Sequence, residues 1–182
     1  MILFRNPLVW LRRICHRRGY GIHSPFAFML VTQVLYSPGR YYADRWLGKL
    51  HPWYVRWFHL RPLARHRLLF RLANRWQPRV IVVPGVTPVE WNYLHEGCRR
   101  ALIDSALPRG QVDMMVLRTA TPGWQDHVGP QTLLVVDNLP QNRHFWQTVL
   151  ADSHTRVTFD LHDLGLAVFN PKLQRQDYLI NW

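Results

Sequence analysis

The stretch PRVIVVPGVTPVEW (Pro78–Trp91) decides how the chain reads. Its run Val80-Ile81-Val82-Val83 is apolar on both faces, which suits a strand buried inside a parallel sheet better than one half exposed to water. Pro84-Gly85 stop the run, and Thr87 then caps a helix with Pro88 and Glu90 in its first turn. Strand, glycine turn and helix N-terminus is the geometry in which backbone N–H groups are offered to a nucleotide or another anion. An ordinary βα turn without a ligand has the same sequence, because a lone glycine is not a Gly-rich fingerprint.

Towards the C-terminus, a helix from Thr87 to about Cys98 leads into RRALIDSA (Arg99–Ala106), read as a second strand with Asp104 near its end. Asp104 lies 19 positions beyond Gly85. A carboxylate about 20 residues past the glycine turn is where the ribose-binding acid of nucleotide-binding βαβ units sits. The same residues also read as the tail of the preceding helix. VDMMVL (Val112–Leu117) and QTLLVVDNLP (Gln131–Pro140) are the next strands, with Thr121–Pro130 as loop. A helix is expected over 141–152. TRVTFDL (Thr155–Leu161) and LGLAVF (Leu164–Phe169) form a hairpin about His162-Asp163, and QDYLINW supplies a last strand. Strands alternating with helices and ending in a hairpin indicate an α/β architecture with a mainly parallel sheet.

Towards the N-terminus, the composition changes. Residues 1–79 hold 15 of the 23 Lys and Arg but only one acid, Asp44, a net of +14. Residues 80–182 hold eight bases and ten acids, a net of −2. The expected division is therefore a basic helical extension over 1–78 and an α/β domain over 79–182. Residues 3–18 read as a short basic amphipathic helix. IHSPF (Ile22–Phe26) reads as a turn into a helix, with Ser24 as cap, Pro25 first, and Phe26, Leu30 and Val34 on one face. His23 closes this turn or serves as a ligand or base. Pro52 and Pro62 divide residues 40–77 into short helices. In the last of them Leu63, Leu68, Leu69 and Leu72 form a buried stripe, with Arg61, Arg65, Arg67, Arg71 and Arg75 in water. Interleaved Arg and Trp suit unpaired RNA bases or an anionic membrane surface, and equally a solvated helix face or a protein partner.

A hydrophobic content of 48% argues for a folded protein. Cys15 and Cys98 form no CxxC pair, so a cytoplasmic protein is expected. The ten histidines show no HExxH spacing, and no serine sits in a GxSxG elbow, which excludes zincin and serine-hydrolase readings.

Two segments, GYGIHSPFAFMLVTQVL (Gly19–Leu35) and LLVVDNLPQNRHFWQTVLADSHTRVTFDLHDLGLAVF (Leu133–Phe169), together resemble a bacterial family of class I S-adenosylmethionine-dependent methyltransferases with an N-terminal HSPF motif. RLLFRLANRWQPRVIVV is similar to that pattern's helix and first strand. The resemblance implies a Rossmann-like sheet whose sixth and seventh strands are antiparallel, and S-adenosylmethionine as cofactor. It is weakest over about 86–130, a region short enough for a strand–helix unit to be missing. The family's first loop is an acidic, three-glycine sequence, whereas Val83-Pro84-Gly85-Val86-Thr87-Pro88 keeps one glycine, lacks the acid and has two prolines without amide donors. Related metal-dependent O-methyltransferases use an Asp after the fourth strand and an Asp-Asn pair after the fifth. Asp137-Asn138 matches the pair, but Arg118 stands at the other position, so no metal is expected.

Three functions follow as expectations. The first is a degenerate methyltransferase-like protein with weakened or lost cofactor binding, serving as a binding or scaffold module. The second is an active methyltransferase in which Gly85, Asp104 and Asp137 line the cofactor cleft, with Asp137 or His144 near the transferred methyl group. The third is a protein binding RNA or an anionic membrane surface through its basic N-terminal part.

Overall fold

The computed structural model describes residues 21–37, 39, 41–58 and 60–182. The helix expected over 3–18 lies outside them. The chain forms two compact units, Met1–Gln77 with Thr87–Arg100, and Pro78–Val86 with Ala101–Trp182. The helix that follows the first strand thus groups with the helical part of the chain.

In the first unit, Ser24 caps helix α1 (Pro25–Met29), its Oγ accepting from the Ala27 N–H at 3.4 Å. The helix widens into a π-helical turn over Leu30–Leu35, which buries Leu30, Val31, Val34 and Leu35. Phe26 is half-buried, its ring edge-on to Trp76 at 6.3 Å. Helix α2 (Asp44–Leu47) continues as a 3-10 turn, Gly48–Leu50, and Pro52 then starts α3 (Trp53–Trp57). Helix α4 (Arg61–Trp76) takes Pro62 in its first turn, where no N–H is needed, and ends at Gln77 in the left-handed region, φ 50°. Leu63, Leu68, Leu69 and Leu72 form its buried stripe, as the periodicity predicts.

The arginines of α4 depart from the expected solvated face. Arg75 is exposed, but the Arg65 guanidinium reaches the buried carboxylate of Glu90 at 2.5 Å. Arg71 donates to the Arg67 carbonyl, and burial lowers its pKa. Helix α5 (Pro88–Gly97) lies so close to α4 that a Cβ at Gly97 would stand 2.5 Å from the Phe70 carbonyl oxygen. Ala43, Leu47, Val55, Leu60, Leu63, Phe70 and Tyr93 form a core in this unit.

The second unit is built on a seven-stranded sheet in the order β2-β1-β3-β4-β6-β5-β7. The strands are β1 (Val80–Val82), β2 (Leu102–Asp104), β3 (Met114–Leu117), β4 (Leu133–Asp137), β5 (Val157–Asp160), β6 (Leu164–Val168) and β7 (Gln176–Leu179). RRALIDSA therefore supplies a strand and not a helix tail. β1 is parallel to β2 and β3, and β3 to β4, with Val82 opposite Asp104 and Met115. The apolar runs of β3 and β4 are wholly buried, as strands covered on both faces must be. β6 runs antiparallel to both β4 and β5, and the turn between β5 and β6 uses His162 at φ 76°. The last strand pairs in parallel with β5.

Helix α6 (Arg143–Ala151) turns Phe145, Trp146 and Val149 into this unit's core with Met115, Leu117, Leu134 and Val136. A Cβ at Gly165 would meet the Trp146 ring at 2.6 Å, so glycine there lets the indole lie against β6. The Thr121–Pro130 connection contains one 3-10 turn, Trp124–His127, which buries Trp124.

Candidate functional site

The sheet order reverses at β1. The chain passes from β1 to β2 on one side of it and returns to β3 on the other. Where the strand order of an open α/β sheet reverses, the loops at the carboxyl ends part and leave the crevice in which ligands bind. Here the loops are those after β1 and β3.

After β1, Pro84 and Gly85 occupy the centre of a turn closed by the Val86 N–H on the Val83 carbonyl at 3.1 Å. Gly85 has φ 65°, so the sequence Pro-Gly serves a type II turn. After β3 comes Arg118. Its Nη1 donates to the Pro84 carbonyl at 2.7 Å and the Gly85 carbonyl at 3.2 Å. Its Nε stands 3.5 Å from the Asp137 carboxylate at the end of β4. One guanidinium thus ties together three neighbouring parallel strands across the point where they diverge. Asp137 is almost buried, and Arg118 neutralises a carboxylate that would otherwise be costly there.

Asn142 completes the group. It stands at the start of α6, where an asparagine reads as a cap, yet its side chain makes no cap bond. Its Nδ2 instead donates to the carbonyls of Arg118 at 2.7 Å and Asp137 at 2.9 Å. Asn138, at φ 51°, turns the chain out of β4 and donates to the Gln141 side chain at 2.5 Å. Neither Asn142 nor its role was legible, because a capping position predicts a bond to the helix and not to two strand ends.

The other expected residues fall outside this group. Asp104 is exposed at the end of β2, where its Oδ1 accepts from the Ala106 N–H at 3.0 Å. No hydrogen bond or ion pair among the described residues links it to Arg118 or Asp137. His144 is exposed on α6 and makes no such bond among the described residues. Bonds therefore join Arg118 to Pro84, Gly85 and Asp137. Asp104 ends the strand beside β1, its carbonyl accepting from the Val83 N–H at 2.8 Å, and neither its carboxylate nor His144 is bonded to them among the described residues.

Helix α5 offers little to an anion. Pro88 has no N–H, the Glu90 N–H donates to Thr87 Oγ1 at 3.3 Å, and the Thr87 N–H donates to Glu90 Oε2 at 3.2 Å. This capping box consumes the amides that a phosphate or carboxylate would use, leaving the Val89 N–H. Among the described residues, no three of His, Cys, Asp and Glu are grouped to hold a metal ion. No helix among them is long and apolar enough to cross a membrane. Comparison with protein-family models, with curated proteins and with solved structures finds no significant match to the chain.

Proposed function

We propose that the chain is a Rossmann-like protein of the class I methyltransferase type whose S-adenosylmethionine binding is weakened or lost, and that it acts as a binding or scaffold module. The observation that carries this reading is the Arg118 guanidinium on the Pro84 and Gly85 carbonyls. A cofactor seated at the β1–β3 switch point needs that loop open to its methionine part. Here the loop carries one glycine and is already occupied by a side chain of this chain. Methyl transfer is mostly a matter of positioning, so a loop that cannot receive the donor removes the principal contribution.

The sheet order supports the Rossmann-like assignment. Read as β2-β1-β3-β4-β6-β5, it is what the resemblance implies once an outer strand–helix unit between the first and fifth strands of that pattern is omitted. The β5–β6 hairpin then corresponds to that pattern's antiparallel sixth and seventh strands.

One observation favours the active reading. Asp104 is exposed at the carboxyl end of the strand beside β1, where a ribose-binding acid belongs. In that case Gly85, Asp104 and Asp137 line the cleft. Calorimetric titration of the purified chain with S-adenosylmethionine and S-adenosylhomocysteine separates the two. Absence of heat from a protein with a cooperative thermal melt is the expected result. Micromolar binding that Asp104→Ala weakens overturns it.

A further inference from the structure

We infer that the exposed aromatic face of Trp53–Phe58 docks on an anionic phospholipid bilayer. The short helix α3 points Val55 inward and leaves nearly everything else in water. Trp57 is 77% exposed, Trp53 68%, Phe58 60% and Tyr54 45%. Trp53 and Trp57 are four residues apart, as are Tyr54 and Phe58, so each pair lies one above the other on adjoining stripes of the helix. Trp46 and Leu50, on α2 and the 3-10 turn after it, add two more exposed apolar side chains. So many large apolar groups in one short segment exceed the scattered exposure of an ordinary surface.

The charge around them selects the partner. Arg45, Lys49 and Arg56 are exposed and have no ion pair among the described residues. The only acid in residues 41–58 is Asp44, and its carboxylate is engaged by the Tyr41 N–H at 2.9 Å. Large aromatic rings interleaved with cations are the composition that settles at the headgroup level of an anionic leaflet. A second copy of the chain carries the same positive face. Residues 1–20 carry five arginines and no acid, so they do not complement it either.

The ring geometry favours lipid over unpaired RNA. Trp53 and Tyr54 stand edge to face, with centroids 6.1 Å apart and planes at 88°. Successive bases need ring faces that can be stacked in turn, and Leu50 has no such face. An aliphatic side chain and crossed rings bury equally well in acyl chains.

The test is flotation of the full chain with vesicles of phosphatidylcholine alone and of phosphatidylcholine mixed with phosphatidylglycerol, read also by tryptophan emission. Binding to the mixed vesicles with a blue shift is expected. The triple variant Trp53→Ser/Trp57→Ser/Phe58→Ser should weaken it at least about tenfold, since each ring removed is lost burial. Lys49→Glu/Arg56→Glu, which leaves the aromatic rings in place, should weaken binding more than about fivefold per site. Unchanged thermal melts establish that both variants fold. No binding to the mixed vesicles, or binding indifferent to both variants, overturns the inference. So does binding of a single-stranded RNA, or dimerisation in sedimentation velocity, that depends on the same aromatics in the absence of vesicle binding.

Discussion

The Arg65 guanidinium meets the Glu90 carboxylate at 2.5 Å, and the other oxygen of that carboxylate accepts from the Thr87 N–H and hydroxyl. One buried acid therefore joins α4 to α5 and completes the cap of its own helix. Glu90 is 1% exposed, so no water replaces a lost partner. Glu90→Ala should cost about 3 kcal/mol, because a half-buried guanidinium loses its counter-charge while the cap opens. Urea denaturation measures it. A loss under about 1 kcal/mol would show that the pair contributes no more than a surface ion pair.

Gly97 and Gly48 should respond in opposite directions to alanine. A Cβ at Gly97 would press on the Phe70 carbonyl at 2.5 Å and the Ala73 Cβ at 2.8 Å, both on a packed helix. Gly97→Ala should destabilise by about 1–3 kcal/mol. Gly48 has φ −58° and open space around it, so Gly48→Ala should stabilise by about 0.5–1 kcal/mol. Thermal melts of the two variants against the parent decide the matter.

Arg118→Met should free the loop after β1. The Pro84 and Gly85 carbonyls lose their donor, and the nearly buried Asp137 loses its counter-charge, for a combined cost of about 2–4 kcal/mol. Amide hydrogen exchange should accelerate at Gly85 and Val86 and spare β5 and β6. Acceleration spread evenly over the sheet would mean that the arginine acts on the whole unit.

His51 gives the first unit a pH dependence of definite sign. It is buried, its Nε2 lies 3.3 Å from His66 Nδ1, and the Tyr93 ring stacks on His66. Burial, with Arg67 nearby, lowers the His51 pKa from its ordinary value of 6.5, while burial pushes the Tyr93 hydroxyl up to about 12. The unfolded chain thus binds the His51 proton more readily than the folded one. Stability is complete above pH 6.5 and falls as the pH drops from there towards the lowered folded value. His51→Gln, which keeps a partner for His66, should flatten the decline in denaturation curves recorded between about pH 7 and pH 5. An undiminished slope would assign it to other groups.

Much of the sheet was legible because burial on both faces leaves a plain signature. Val80–Val83, Met114–Leu117 and Leu133–Val136 are apolar without interruption, and each carries a strand. Thr87 was legible as a helix cap with Glu90 in its first turn, and the structure adds the reciprocal bond that makes the two a capping box. Pairing was less legible, because a strand's neighbour is chosen by the whole fold. Nothing within QDYLINW distinguishes a parallel partner in β5 from an antiparallel one. Arg65 looked solvated because helical periodicity knows nothing of an acid 25 residues away. Arg118 was noted only for standing where an acid was wanted, and its grip on Pro84 and Gly85 required the turn geometry.

Strand β2 is three residues long, ends in a carboxylate, and pairs on one side with β1 alone. Its outer margin shows few backbone groups to an approaching strand, and Asp104 meets that strand with charge. Leu102 is the one large apolar side chain it exposes. The sheet therefore ends on this side in a border too brief to template an added strand edge to edge.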